Sequence, residues 1–293
     1  MIAGPPIIVG VDGSPACFDA VRWAAQDAAV RAVPLTLMAA LASTDPSPTD
    51  SAHQAGPTMS ASRRHLRRAV QAAEDAAHGW GRLALHTEIR SGPAIPALLE
   101  CSRHAQLVVV GARGFGERSG GPLGSVSDAL ATRARCPVVI IRGPAGAAPP
   151  HGMVVVGVDG SASSAPAIAA AFDEASLRRA PLTAVHAWTD LTLSALFTGD
   201  DPDVELSWEA ARDTESAMLA ESLAGYTAQY PDVVVCQEVV KDRPVRNLLE
   251  HAQRAQLLVV GRRGRGGFTS MLLGSTSRAL LHSVDRPLMI VRA

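Results

Sequence analysis

At 293 residues, with 47% hydrophobic residues but only 4% aromatics, the chain is long enough for two ordinary domains with aliphatic cores. A formal net charge of −1 argues against a general nucleic-acid binder, for which a strongly basic face is expected. The four cysteines, Cys17, Cys101, Cys136 and Cys236, form no CxxC pair, and no apolar run is long enough to span a membrane, so neither a disulfide scaffold nor a membrane protein is expected. The opening MIAGPPIIVGVDGS has no basic n-region or long apolar h-region; no signal peptide is expected, and a reducing cytoplasm fits.

In chain order, Ile7–Val11 is a continuous apolar run, as in a strand buried on both faces. Ser14-Pro15 reads as a helix cap followed by proline in the first turn, opening a helix over Ala16–Val30. Leu35–Ala40 is a second strand. Residues 43–62, polar and proline-containing, read as a long loop. A helix over Arg63–Ala77 follows, then a strand over Leu85–Ile89, a helix from Pro93 to Ser102, a strand over Leu107–Val110, a helix over Ser125–Arg133 and a strand over Val138–Ile141. Arg63, Arg64, Arg67 and Arg68 form a basic helix face, either solvated or an anionic partner site.

The same order then repeats. IIVGVDGSPA at 7–16 matches VVVGVDGSAS at 154–163, and RCPVVIIR at 135–142 matches DRPLMIVR at 285–292. A whole domain is duplicated, since solenoid units are far shorter. In the second copy strands are expected at 153–158, 182–187, 233–239, 256–260 and 288–291. Helices are expected at 165–178, 207–224, 244–252 and 275–283, with a loop at 190–206. The Gly- and Pro-rich stretch 144–152 reads as a linker between domains 1–143 and 153–293. Strands alternating with helices predict an α/β fold: two tandem doubly wound domains with parallel sheets. Ligands in such sheets sit beyond the C-terminal strand ends.

The most informative stretches are VVVGARGFGERSGGPLGSVSDAL (108–130) and VVGRRGRGGFTSMLLGSTSRAL (259–280). In each, a strand stops at a glycine and a Gly-rich loop follows. Gly-Ser then opens a helix. Gly111, Gly114, Gly124 and Ser125 have the spacing of Gly261, Gly264, Gly274 and Ser275. Glycines let backbone amides approach an anion, and a helix N-terminus supplies donors and partial positive charge. Lacking Gly-Lys-Ser/Thr and G-x-G-x-x-G, the loops are neither a P-loop nor a Rossmann fingerprint. Asp12 and Asp159 close the first strand of each copy. They suit ribose hydroxyls or an adenine amino group as acceptors, or they cap a turn. Gly10 and Gly157 would let that strand pass close to a ligand.

G-V-D-G-S after the first strand, with G-x2-G-x9-G-S after the fourth, resembles the universal stress protein family, tandem-domain type, over nearly the whole chain. The resemblance implies an adenine nucleotide alpha hydrolase-like fold, with five strands per domain in the order 3-2-1-4-5. It also implies ATP at two sites per chain, with Mg2+ able to assist. The nucleotide would be held by Gly10, Asp12, Gly111, Ala112, Arg113, Gly114, Phe115, Gly116, Glu117, Gly124, Ser125 and Val126 in the first copy. In the second it would be held by Gly157, Asp159, Asp190, Gly261, Arg262, Arg263, Gly264, Arg265, Gly266, Gly267, Gly274, Ser275, Thr276 and Ser277. In relatives the closing strands pair domains edge to edge, which implies an intrachain pseudo-dimer, a homodimer of chains and an unknown regulatory protein partner.

Ser125 and Ser275 can cap their helices, with or without a phosphate contact. Arg113, Glu117, Arg118 and Asp128 sum to zero charge, whereas Arg262, Arg263, Arg265 and Arg278 give +4. Tighter ATP binding is therefore expected in the second copy, unless those arginines are a solvated face. Asp190 would lie near the adenine, where the first copy has Ser43, or is a plain loop residue. No catalytic triad or metal-ligand spacing is readable. A regulatory ATP-binding protein is the leading expectation. Its rivals are a slow ATPase or nucleotidyl transferase, with Glu117 the only candidate base, and an interaction scaffold with degenerate sites.

Overall fold

The computed structural model describes residues 4–41, 58–114, 123–143, 152–188, 202–265 and 272–292, with the side chains of 202–210 outside the described set. The chain divides into two compact units, residues 1–148 with 285–290 and residues 149–284 with 291–293.

The first repeat comprises β1 (Ile7–Gly10), α1 (Pro15–Arg31), β2 (Pro34–Leu41), α2 (Met59–Ala77), β3 (Ala84–Ser91), α3 (Ala94–Cys101), β4 (Leu107–Gly111), α4 (Ser125–Arg133) and β5 (Val138–Ile141). Its strands lie in the order β3-β2-β1-β4-β5. Every neighbouring pair is parallel, with Ile7 opposite Leu35 on one side and Leu107 on the other. Parallel strands need crossover connections, and these are the helices: α1 packs on α2, and α3 on α4. The sheet centre is therefore covered on both faces. Ile7, Val9, Val108, Val109 and Val139 are fully buried, which is why these strands read as unbroken apolar runs.

The second repeat follows the same plan: β6 (Met153–Val158), a short 3-10 turn (Ala162–Ser164), α5 (Ala165–Arg178), β7 (Leu182–Trp188), α6 (Pro202–Gln229), β8 (Val235–Lys241), α7 (Pro244–Ala252), β9 (Ala255–Gly261), α8 (Ser275–Ser283) and β10 (Leu288–Val291). Its order, β8-β7-β6-β9-β10, is the first repeat's order again. The strand-to-strand chemistry predicted from apolar runs and the predicted order 3-2-1-4-5 are both observed.

Helix starts differ from expectation. α2 begins at Met59, inside the stretch expected to be loop through residue 62. Thr58 caps it by accepting the Ala61 amide at 3.3 Å. The apolar stripe Leu66, Ala69, Ala73 and Ala77 starts only after the first turn, so composition alone hid that turn. α6 likewise begins at Pro202 rather than 207 and runs to Gln229 rather than 224. The helix start at Ser14 is as expected: its hydroxyl accepts the Cys17 amide at 3.2 Å, with Pro15 in the first turn. β8 lies two residues later than expected, at Val235–Lys241.

Phe172 on α5 is fully buried, its ring 5.6 Å from Tyr226 and 5.7 Å from Tyr230 of α6. Phe172→Ala removes that stack and leaves a cavity, so it should cost about 3–5 kcal/mol. Urea unfolding followed by tyrosine fluorescence should show this as an early transition.

Candidate nucleotide-binding site

In each repeat the site is built where the first strand, the first helix and the Gly-rich loop converge. β1 ends at Gly10; the Val11 amide still donates to the Met38 carbonyl at 2.7 Å, and then the chain turns. Asp12 makes the turn by accepting the Ser14 amide on Oδ1 at 2.9 Å. Gly13 takes a left-handed φ of 87°, and the His65 ring of α2 covers it so closely that a Cβ there would stand 2.5 Å from the imidazole. Glycine is thus required at 13 for both conformation and space. Burial, then Arg64, lowers the pKa of His65, against the opposing pull of Asp12.

The loop closes on the same carboxylate. A Cβ on Gly114 would come within 2.8 Å of Asp12 Oδ2, and one on Gly111 within 2.6 Å of the Ala16 carbonyl carbon at the start of α1. The Ser14 hydroxyl donates to the Arg113 carbonyl at 3.4 Å. Beyond the loop, the Gly124 amide donates to the Ala112 carbonyl at 2.8 Å, and the Ser127 hydroxyl to the Gly111 carbonyl at 2.8 Å. These bonds fix the N-terminus of α4 over the end of β4.

A cavity opens at this junction. Gly10, Asp12, Gly111, Arg113, Gly114 and Gly124 supply its polar and glycine lining; Val11, Met38, Ala40, Leu98 and Val126 supply an apolar lining, with Cys17 beside them. Burial, then Asp12, pushes the Cys17 thiol up to about 12, so it stays protonated and unreactive.

In the second repeat the corresponding carboxylate is Asp159. Asp159 Oδ1 accepts the Ser161 amide at 2.9 Å and the Ser161 and Ser164 hydroxyls at 2.6 and 2.5 Å. Its Oδ2 accepts the Arg265 amide at 2.5 Å. Burial raises its pKa, but these hydrogen bonds outweigh burial and hold it below its ordinary 3.8. Gly160 has φ 73°, covered by Met218 and the Arg265 guanidinium where the first repeat uses His65. The Gly274 amide donates to the Arg262 carbonyl at 2.8 Å and the Ser277 hydroxyl to the Gly261 carbonyl at 2.6 Å, as in the first repeat.

One expectation needs correction. Ser125 and Ser275 do not cap their helices: the caps are Gly124 and Gly274, without a side-chain cap bond, and the serines are the first helical residues. The loop glycines 111, 114, 261 and 264 have no left-handed φ. What they need is space, because Asp12, Asp159, Ala16 and the Arg263 carbonyl crowd their missing side chains. The missing side chains of Gly10 and Gly157 make room for Leu98 and Leu248, 3.1 and 3.2 Å from where a Cβ would lie. Phe115, Gly116, Glu117, Arg118, Asp190, Gly266 and Gly267 lie outside the described residues, as does Ser43.

Thr276 sits in the first turn of α8, as Val126 does in α4. Sequence reading missed Cys17, Met38, Ala40, Leu98 and His65. Cys17 carried a signal, since it stands where the second copy has Ser164 in an otherwise matched segment. The others reach the site only through sheet register and helix packing.

Comparison with known proteins agrees with this architecture. A profile of the Universal stress protein family matches residues 5–142 and again 152–292. Universal stress protein Rv2623 of Mycobacterium tuberculosis is 40% identical over 296 residues, covering 98% of this chain and 96% of that one. Universal stress protein Rv1996 of the same organism is 42% identical over 304 residues, covering 98% and 94%. A crystal structure of a universal stress protein from Archaeoglobus fulgidus shares the fold at a TM-score of 0.67 and 16% identity, covering 98% of this chain and 96% of that one. The chain belongs to the universal stress protein family, with two family domains in tandem. No helix among the described residues is long and apolar enough to cross a membrane.

The packing around the glycines separates two substitutions. Gly111→Ala pushes a methyl group into the Ala16 backbone and should cost about 1–3 kcal/mol. Gly274→Ala meets nothing closer than 3.5 Å and should cost less than about 1 kcal/mol, the weaker cap being its main penalty. Denaturant midpoints of the two variants measure the difference.

Proposed function

We propose that each repeat binds an adenine nucleotide, ATP first among them, and that the protein acts in stress or growth control through this binding rather than through turnover. The observation carrying the reading is the convergence of a strand-end carboxylate, a glycine loop and a helix N-terminus on one cavity of the first repeat. Ligand pockets typically hold roughly 300–1,000 Å³, whereas the cavity formed by the described residues is about 150 Å³. The base therefore lies against the apolar wall, and the phosphates lie outside, along the loop.

In the first repeat Asp12 receives ribose hydroxyls. Gly111, Ala112, Arg113, Gly114 and the Gly124–Val126 turn, with Phe115, Gly116 and Glu117 in the loop, follow the phosphates. In the second, Gly261–Gly267 and Gly274–Ser277 do so, with Asp190 towards the base. Phosphate-bound Mg2+ accompanies the nucleotide. The Arg263 Nε is buried without a hydrogen-bond partner among the described residues, which suits an anion nearby.

The binding units are residues 1–143 and 153–293, joined by 144–152. Family membership supports the stress role. A cytoplasmic homodimer of chains, signalling to a regulatory protein, completes the reading.

Denaturing the purified protein should release ATP, near two per chain, and added ATP should raise the melting temperature. No nucleotide and no thermal shift would sink the reading. With Gly124→Glu and Gly274→Glu disabling one site each, the remaining second-repeat site should bind ATP about tenfold more tightly than the remaining first-repeat site. Each extra arginine supplies only about 0.3–1 kcal/mol at a partly exposed position. Equal dissociation constants would remove the asymmetry.

A further inference from the structure

β7 buries His186 to 1% exposure, at the position held in the first repeat by Ala39. Its ring bridges two elements. Nδ1 lies 2.8 Å from the Val158 carbonyl at the end of β6. Nε2 lies 3.0 Å from Glu215 Oε2 of α6. A carbonyl can only accept, so Nδ1 carries a proton. The second contact is a hydrogen bond only if another proton lies between Nε2 and the carboxyl group. The pair therefore holds one proton more than a neutral imidazole beside a carboxylate. Without it, a ring lone pair faces a carboxylate oxygen at 3.0 Å with little water to separate them, and the contact becomes repulsive.

The Val158 carbonyl belongs to the same peptide group as the Asp159 amide, which donates to the Ser164 hydroxyl at 3.2 Å. His186 grips one end of that group and Ser164 the other. Asp159 in turn holds the Gly-rich loop through the Arg265 amide. A continuous path thus runs from α6 through β7 to the loop. The other charged groups and histidines on the described parts of the elements packed against β7 are Asp173 and the Glu174–Arg178 pair of α5, that pair at 2.8 Å, Arg212, Asp213 and Glu221 of α6, Glu238 and Lys241 of β8, and Arg246, Glu250 and His251 of α7, with Asp159 just beyond β6.

We propose that His186 and Glu215 are positioning residues of the second nucleotide site, joined by a shared proton. With the proton in place they fix the Val158–Asp159 peptide group and α6. Loss of the proton as pH rises loosens Asp159 and the loop it holds, and ligand affinity falls in the second repeat alone. The affinity clause rests on the nucleotide reading above; the proton link between Glu215 and the loop does not.

The test uses the full chain in two arms. In the first, without ligand, the nitrogen-15 signals of the His186 ring and the Arg265 amide are followed from about pH 5.5 to 9, the range spanning ordinary histidine titration. Both should move with one midpoint. Glu215→Gln, whose amide can donate to Nε2 of a neutral ring, keeps the hydrogen bond without the proton, so its Arg265 signal should stay flat. His186→Ala, copying Ala39, should also be flat. A wild-type Arg265 amide that ignores the His186 midpoint, a His186 Nε2 bare of a proton across the range, or an unchanged response in both variants overturns the proposal.

In the second arm, ATP binding to the Gly124→Glu chain should weaken about tenfold between low and high pH, the scale of one charge-assisted hydrogen bond, and stay constant in the further Glu215→Gln variant. Binding that does not change with pH in the chain retaining Glu215 overturns the affinity clause. Absence of ATP binding at every pH refutes the nucleotide reading instead, and the first arm then decides the proton link by itself.

Discussion

Each repeat depends on one carboxylate at the end of its central strand. Asp12 and Asp159 stand where the strand must turn into the first helix. Each accepts the serine amide two residues on, and a glycine at left-handed φ completes the turn. The Gly-rich loop is pressed against the same carboxylate, with no room for a side chain at Gly114 or Gly264. Three segments distant in sequence are thereby fixed to one another before any ligand arrives. The parallel sheet makes this possible, because its central strands end side by side and bring the first turn and the loop to the same edge.

The duplication copied that backbone arrangement and let its chemistry diverge. Cys17 is a weak donor with a thiol held firmly protonated; its counterpart Ser164 is a full hydrogen-bond donor to Asp159 at 2.5 Å. Ala112 corresponds to Arg262, and Ala39 to the buried His186. The second carboxylate is consequently saturated with protein donors. With its pKa depressed, the stability it lends is fully present above its ordinary 3.8 and is lost as pH falls through its folded-state value. The proposed His186–Glu215 link has the opposite sign and weakens as pH rises. On that proposal different groups hold the second repeat at the two ends of the pH range, and the first repeat has Ala39 where the second buries His186.

Most of the architecture was legible because buried parallel strands are unbroken apolar runs and because the repeat supplies each element twice. Helix starts without an apolar stripe were not legible: the first turns at Met59 and Pro202 are polar and look like loop. At the site, the carboxylates and glycines were legible as a spacing, since they are close in sequence to the strand ends. The reason for the glycines was not. It depends on where α1 and Asp12 lie against the loop, which no local pattern encodes. His65, Met38 and Leu98 come to the first site from α2, β2 and α3, and His186 reaches Glu215 across nearly thirty residues; pairings of that kind appear only once the sheet order brings the elements together.

The glycine spacing also has to be weighed differently once the structure is known. Gly111 and Gly114 would be required by packing even in a protein that bound nothing, so their presence does not by itself argue for an anion. The Gly124 and Gly274 amides are already committed to the carbonyls of residues 112 and 262, and they add no donor to a phosphate cradle. What the nine-residue interval does is place a helix start directly over the end of the fourth strand in both repeats. Amides of a first helical turn have no carbonyl within their own helix to bind. The case for phosphate therefore moves from the glycines to the turns they position, Ser125–Ser127 and Ser275–Ser277, and to the charge each loop brings beside them.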